Sequence, residues 1–546
     1  MSELLTRHPW ILGIVLTLVV HEWIWLAQIA RKGCDMRANA RSLGFAGIRR
    51  ATETVRHRHY WGYRRDRSRF GGVITAVTLI VLAKVRTWSR HVATLTFFSC
   101  AAPALAAPGV LTGKLIVDPA SGSLIGDICM GQLPSGVTGF SLNPGLNIRE
   151  VRYSLGGAPL AFERDPKRPT DYDASYYRLS AKAGPDLCIS YVGRFPVYDV
   201  DKGERANDDW KGRIAFDGKT IRAADQSRFV PAPITEAGVE KAQMAYDVTI
   251  VCANCRTIFW NGSRPAAGPS ARFTSSTPRA LMLYAGDVDF TSQPQADFVG
   301  LPVTIPVATA VSAGLKRIAA VHASYLRLPY SDQPSLMSFA SVGRDRKLDK
   351  TSWQFVVWPS IAADGRLAFA KYLRAAEPAN GLSTGFQRYL AHEMAHYYFG
   401  TRLVPNGPLQ WFLTESTAEF LSMKAVRQLQ GEAAYMDLLA EHTAAVGKDG
   451  AVVPLDRVTN ADQIGETYRY KLGPLLLIGL EQKLGAATVS RMLSNLVADA
   501  PDTEISYADL QARLRIEGAT QKDLDVFAAE CLIANVTSLC WSIRQQ

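Results

Sequence analysis

The spacing of hydrophobic positions changes part-way along the chain. From about residue 110 to 300, short apolar runs alternate with polar residues, as in "GKLIVD", "DLCISYVG" and "YDVTIVC", and Gly, Pro, Asn and Asp separate the runs. A period of two is typical of β-strands that bury one face. The polar stretches "FERDPKRPTDYDASYY" and "DVDKGERANDDWKG" predict surface loops. Residues 107–304 are therefore predicted to form an all-β domain.

A longer period follows from about Val307. The stretch "ATAVSAGLKRIAAVHASYLRL" predicts a helix, "SLMSFASV" and "WQFVVWPSI" predict strands, and a long helix is expected after "GLSTGF". Helical spacing then continues to the end of the chain, for example in "AATVSRMLSNLV". Residues 305–546 are predicted to be a second, mainly α-helical domain. The fold class expected for the whole chain is α+β.

The first 106 residues have the character of a leader. Trp10–Ala30 is long enough to span a bilayer, and "VRTWSRHVATLTFFSCAAPALAAPG" has the basic, apolar and small-residue order of a secretory signal with cleavage after Ala106. We expect an exported protein of the periplasm or cell envelope, with membrane association possible through residues 1–106. Two alternatives stay open: a membrane-anchored leader, or a start further downstream, for example at Val85.

Charge supports this division. The formal net charge is +11, and all of it belongs to residues 1–106, because the acidic and basic residues of 107–546 cancel. A basic run just after an apolar segment is typical of a cytoplasmic flank. The body of the protein has no basic excess of the kind that nucleic-acid binding requires, so no nucleic-acid partner is expected.

Six cysteines remain after the leader. An even number in an exported chain predicts disulfides, and proximity pairs Cys252 with Cys255, Cys531 with Cys540, and Cys129 with Cys188. The "CANC" pair at 252–255 has two other interpretations, half of a zinc knuckle or a redox pair. No second cysteine pair or nearby histidine completes a zinc site there, so a short structural bridge is favoured.

The stretch "RYLAHEMAHYYFG", residues 388–400, carries the candidate chemistry. His392 and His396 stand four positions apart, so on a helix both imidazoles face the same side and can bind one metal ion. Glu393 follows the first histidine and is placed to act as a general base on water. The alternative is a helix with two buried, hydrogen-bonded histidines.

A third ligand is expected from a second helix. Glu415 follows His396 after eighteen intervening residues, in "LQWFLTESTAEF", as in zinc peptidases of the gluzincin kind. Glu419 lies one helical turn further on and is expected to accept the free ring N–H of His392. His322 and His442 are predicted to be surface or satisfied core residues, because two histidines, one glutamate and a water complete a zinc site.

Together these motifs resemble the aminopeptidase N family. HEMAH, the eighteen-residue gap and Trp411-Phe412-Leu413-Thr414-Glu415 are similar to its zinc signature, and "YRYKLGPLLLIGLEQKLG" resembles its Tyr-x-Lys-Gly helix. The resemblance implies a saddle-shaped β domain before a thermolysin-like catalytic domain, one Zn²⁺ ion on His392, His396 and Glu415, and a peptide or protein substrate. It also implies that Tyr470 stabilises the oxyanion, with Tyr468 as the alternative.

One family motif is absent. The Gly-x-Met-Glu-Asn segment, which binds the free amino group of substrates, has no counterpart in "WQFVVWPSIAADGRLAFAK". Exopeptidase and endopeptidase activity both stay open, with the balance slightly against a strict aminopeptidase. The function expected is a zinc-dependent peptidase of the periplasm or envelope. The alternative is a catalytically retired peptidase-like protein that binds or assembles envelope partners. The oligomeric state is not predicted.

Overall fold

The computed structural model describes residues 109–541, apart from 134–135, 169–173, 205–212, 237, 239, 241–242, 341–352, 365–368, 370–372, 374–381, 447–451, 501–503 and 534–539. The predicted leader, residues 1–106, lies outside this part of the chain. Within the described residues, no helix is both long and apolar enough to cross a membrane.

Fifteen strands lie in the first half of the described chain and form three sheets. The first sheet has the order β14-β11-β1-β2-β7-β4, the second β10-β3-β6-β5 and the third β13-β12-β15-β9-β8. Their bounds are β1 Val110–Asp118, β2 Ser123–Gly131, β3 Val137–Leu142, β4 Leu146–Arg152, β5 Phe162–Arg164, β6 Ser175–Leu179, β7 Leu187–Arg194, β8 Ala215–Phe216, β9 Thr220–Ala224, β10 Ala232–Thr235, β11 Met244–Val251, β12 Thr257–Trp260, β13 Ala266–Ala267, β14 Ser270–Arg279 and β15 Met282–Gly286.

The alternation seen in the sequence places apolar side chains in the core of these sheets. In β2, Leu124, Ile128 and Met130 are fully buried, whereas Ile125, Asp127 and Cys129 are less covered. Trp260 of β12 packs edge-on against Tyr246 of β11 in the same core. β5 and β6 lie at the two ends of a stretch that was predicted to be a loop, and β6 is held by pairing with β3.

A fourth sheet joins the β-rich part to the helices. Its strands are β16 Phe290–Gln293, β17 Ala296–Val299, β18 Ser335–Phe339, β19 Trp353–Val357 and β20 Ser360–Asp364, in the order β16-β17-β18-β20-β19. β19 is therefore an edge strand. Strands on both sides of residue 304 contribute to this sheet, and the predicted domain bounds stay predictions.

The second half of the described chain is mainly helical. Its helices are α1 Ile305–Leu326, α2 Thr384–Ala395, α3 Thr417–Gln430, α4 Glu432–Val446, α5 Gly473–Leu484, α6 Ala486–Asp499, α7 Tyr507–Ile516 and α8 Gln521–Cys531. Two π-helical turns lead directly into helices. The turn Phe412–Ser416 precedes α3, and the turn Tyr468–Leu472 precedes α5. The predicted fold class, an N-terminal β domain followed by a mainly helical region, is confirmed.

All three expected disulfides are present. Cys129 and Cys188 face each other across the paired strands β2 and β7, Cys252 bonds Cys255 in the turn after β11, and Cys531 bonds Cys540 beyond the end of α8. The sequence-based pairing is confirmed. Both sulfurs of "CANC" are joined in one disulfide, as the short structural bridge requires, and they leave no free thiolate there for a zinc knuckle.

Polar contacts tie the β-rich part to the fourth sheet and the segment just before β18. Asn261 donates to the backbone oxygen of Trp358 at 2.9 Å and accepts from Ser360 at 2.6 Å. A nearly buried ion pair joins Arg279 to Asp332, which also accepts from the indole N–H of Trp358 at 2.9 Å. Buried charges that are paired and hydrogen-bonded in this way demand a specific arrangement of both partners. These contacts therefore hold Trp358 in a fixed position.

Candidate metal centre

Helix α2 positions the two histidines of the motif. His392 and His396 lie on the same face, with ring centroids 5.1 Å apart, because four residues make about one helical turn. His396 stands just past the last residue of α2, and its Nδ1 lies 3.1 Å from the backbone oxygen of Phe399. That contact leaves Nε2 of His396 free to bind a ligand.

The π-helical turn before α3 brings Glu415 to these rings. Oε2 of Glu415 lies 3.3 Å from Nε2 of His392 and 3.6 Å from Nε2 of His396. Ligands at bond lengths near 2.0–2.1 Å around a tetrahedral zinc ion are separated by roughly 3.3 Å. The three ligand atoms, which all lie within 4.8 Å of one another, therefore fit such an ion.

Glu419 supports the first histidine from behind. Its Oε2 lies 3.0 Å from Nδ1 of His392 and also accepts from Ser422 at 3.2 Å. Its Oε1 accepts from Arg388 at 2.7 and 3.0 Å and from Nε2 of His442 at 3.1 Å. A carboxylate that accepts from the outer nitrogen of a ligating histidine fixes the tautomer with Nε2 facing the metal.

The donors around Glu419 keep it charged although it is buried. Burial disfavours the carboxylate, but hydrogen bonds from His392 and His442 hold the pKa of Glu419 well below its usual value. Glu415 behaves in the same way: burial opposes its charge, yet His392 and His396 lower its pKa to about 2. Both carboxyl groups are therefore held in the charged form by the histidines that contact them.

Glu393 points into the same cavity but has a different environment. Its Oε2 lies 3.8 Å from Nε2 of His396, and its side chain is 14% exposed. Burial raises the pKa of Glu393, against the opposing effect of the two histidines. A carboxylate whose pKa is raised toward neutral pH is suited to take and return a proton.

The structure separates the two candidate tyrosines, which lie in the π-helical turn before α5. Tyr470 lines the cavity together with Glu415, and its ring centroid lies 5.7 Å from that of His392, with the two rings tilted by 47°. Burial and the nearby Glu415 and Glu393 raise its pKa, so its hydroxyl keeps its proton. Tyr468 is buried and does not line the cavity.

A cavity of about 830 Å³ opens over these residues. The helical part lines it with the metal-site residues and with Arg388, Tyr389 and Thr414. The opposite wall comes from the β-rich part and the fourth sheet, through Ala224, Asp225, Gln226, Gln243, Ala280, Val357 and Trp358. The volume lies within the range of pockets that bind small molecules.

Sequence reasoning missed part of this arrangement. It predicted His442 to be a surface or satisfied core residue, and the structure shows the second of these, a fully buried histidine paired with Glu419, but its link to the site was not foreseen. Arg388 and Asp225 were not identified. Arg388 stands one helical turn before His392 on α2, and that spacing was the available signal. No signal in the sequence pointed to Asp225, because it follows the end of β9, far from the metal-site residues along the chain.

Comparison with known proteins finds similarity in structure but none in sequence. The sequence matches no protein-family model and no curated protein. Among solved structures, an M1 zinc metallopeptidase mutant from Deinococcus radiodurans, bound to a Tyr-Ser-Ala substrate, has a TM-score of 0.54 at 15% identity, and the match covers 79% of this chain and 94% of that one. Native yeast LTA4 hydrolase has a TM-score of 0.54 at 13% identity, covering 81% and 69%.

This chain has the fold of the M1 zinc metallopeptidases. Identities this low show a shared fold and nothing about activity. The fold nevertheless agrees with the architecture expected from the sequence, in which a β domain precedes a helical region that carries the two histidines.

Proposed function

We propose that this protein is a zinc-dependent peptidase. The observation that carries the proposal is the convergence of His392, His396 and Glu415 at the base of a large cavity, with Glu393 beside them. Two imidazoles and one carboxylate are the ligand set of catalytic zinc sites, which keep a fourth position for water. Bound there, zinc would act as a Lewis acid on water and on the substrate carbonyl.

The residues around the site suit peptide hydrolysis. Glu393 would accept a proton from the attacking water and deliver it to the nitrogen of the leaving amine. Tyr470 would donate a hydrogen bond to the carbonyl oxygen as negative charge develops there. Glu419 would keep His392 oriented through its Nδ1, and the wall formed by Val357 and Trp358 would face the bound chain.

Metal analysis and peptide cleavage test the proposal. Purified full-length protein is expected to contain one zinc ion, to cleave a mixed peptide library, to lose cleavage when a chelator removes the ion, and to recover it when zinc is added back. Protein that holds zinc but cleaves nothing under these conditions would instead be a retired peptidase-like binding or assembly protein. Protein that holds no zinc would refute the metal site itself.

The class of peptide depends on what faces the metal site. The Gly-x-Met-Glu-Asn glutamate is absent, but Asp225 places a carboxyl group on the β-rich wall of the cavity. Because a carboxylate attracts a substrate ammonium group, an aminopeptidase would lose activity on free peptides when Asp225 becomes Asn. An endopeptidase would cleave N-acetylated peptides equally well in both forms. Asp287→Asn, at an exposed ion pair with Arg256, is the control.

We also propose that the protein acts outside the cytoplasm. Three disulfides support this location, since such bonds persist mainly in oxidising compartments. Fractionation of cells, with N-terminal sequencing of the native protein, tests it. The expected result is a protein in the periplasm or envelope; a reduced protein in the cytoplasm would contradict the proposal.

A further inference from the structure

The two π-helical turns contact each other beside the candidate metal site, and each carries one residue of that site. In the turn before α3, which carries Glu415, the N–H of Thr417 bonds to the oxygen of Phe412. In the turn before α5, which carries Tyr470, the N–H of Gly473 bonds to the oxygen of Tyr468. π-helical turns are rare and occur often at functional sites.

The contact between these turns is made where Gly473 meets Ser416. A Cβ atom added to Gly473 would overlap the side chain of Ser416 and would stand 3.0 Å from the backbone oxygen of Tyr468. Both residues are buried, so neither can move toward solvent. The two helices therefore approach as closely as they do only because residue 473 has no side chain.

Backbone conformation does not explain this glycine. Gly473 has φ −56° and ψ −48°, which any residue adopts in a helix. Gly473 lies inside the continuous helical run 468–484, and glycine in a helix interior lowers helix stability compared with alanine. The remaining explanation is that a side chain at residue 473 would not fit against Ser416. The close contact that glycine allows brings Tyr470 next to Glu415.

We propose that Gly473 is a positioning residue, which sets the separation between the Tyr470 turn and the Glu415 turn through its contact with Ser416. The catalytic part of this inference rests on the proposed function. Moving the turns apart would displace the Tyr470 hydroxyl from the site and shift Glu415 away from the histidines. A displacement near 1 Å can lower a rate by roughly 100-fold.

Four full-length variants test the inference: Gly473→Ala, Ser416→Gly, the double variant, and Gly479→Ala. Gly479 lies on the same helix α5, and its added Cβ would stand 2.5 Å from Sγ of Cys540. It is therefore a matched control for crowding that does not involve the site. For each variant, kcat, KM, zinc affinity by competition with a chelator, and thermal stability are measured.

The inference expects Gly473→Ala to lower kcat roughly 100-fold and zinc affinity about tenfold, with KM changed less than kcat. In the double variant, kcat should be at least about tenfold higher than in Gly473→Ala, because removing the Ser416 side chain makes room for the added methyl group. Gly479→Ala should lower thermal stability without this loss of kcat. A double variant no better than Gly473→Ala, or a control equally impaired in kcat, would overturn the inference.

Zinc affinity keeps the two proposals separate. If the parental protein cleaves no peptide, the proposed function fails, and the loss and recovery of zinc affinity across the same variants still tests the positioning role of Gly473. If Gly473→Ala does not fold, Ser416→Thr crowds the same contact from the other side and should lower kcat and zinc affinity in the same direction. Parental values in Ser416→Thr would then overturn the inference.

Discussion

Oε2 of Glu419 lies 3.0 Å from Nδ1 of His392, and the same carboxylate also accepts from Arg388, His442 and Ser422. One buried side chain therefore connects helices α2, α3 and α4 behind the candidate metal site. Arg388 extends the connection to Glu441, which also pairs with Lys471, the residue after Tyr470.

Replacing Glu419 by Gln should weaken zinc binding. The amide has nearly the same shape but no charge, so it orients His392 less well and leaves Arg388 without its buried partner. We expect zinc affinity to fall about 10- to 100-fold, measured by competition with a chelator. Glu432→Gln, which removes only an exposed ion pair with Arg427, should bind zinc like the parent. Unchanged zinc affinity in Glu419→Gln would show that Glu419 does not support the site.

Glu393→Gln should separate metal binding from catalysis. The amide cannot accept a proton from water, while His392, His396 and Glu415 keep their positions. We expect a normal zinc content and a rate of peptide hydrolysis lower by roughly 1,000-fold. Zinc content by elemental analysis and initial rates on one peptide check this. Cleavage at the parental rate would remove Glu393 from the mechanism.

The two tyrosines give a matched pair of variants. Tyr470→Phe removes the hydroxyl that lines the cavity, so kcat should fall roughly 100-fold with a smaller change in KM. Tyr468→Phe removes a buried hydroxyl that does not line the cavity, and should keep the parental kcat. Steady-state kinetics of both proteins decide the assignment, and the reverse pattern would favour Tyr468.

Acid should destabilise the protein partly through His322. Nε2 of this buried histidine lies 2.8 Å from the backbone oxygen of Ala391, and burial lowers its pKa to about 4, against 6.5 for an exposed histidine. Between these values the unfolded chain binds a proton that the folded chain does not, so stability falls as pH falls. The loss is complete near pH 4 and amounts to roughly 3 kcal/mol.

Urea unfolding of the parent and of His322→Gln, from pH 7 to pH 4.5, measures this contribution. A chelator is included so that metal release adds nothing to the slope. The variant, which cannot titrate at this position, should lose less stability on acidification than the parent. Parallel curves for the two proteins would mean that His322 already takes up its proton in the folded state.

Much of the fold was predictable because it rests on local patterns. Alternation placed most strands, as in β7 and β11, and the helical period placed α1 and α6 within a few residues. β5 was missed, because Phe162 is its one apolar residue and three residues are too few to show alternation. Only pairing with β6 makes this segment a strand. The π-helical turns were missed for a similar reason, since their extra residue depends on packing between helices.

The amino-acid sequence by itself determined His392, Glu393 and His396 as a group, because their geometry depends only on the repeat of one helix. It also indicated Glu415 and Glu419 through their spacing. Only the tertiary structure decided that Tyr470 rather than Tyr468 faces the cavity, that His442 and Arg388 hold Glu419, and that Asp225 stands on the opposite wall. These relationships join elements that are far apart in the chain. The distances between such elements are set by how they pack together, and the spacing of residues within one helix or strand carries no information about that packing.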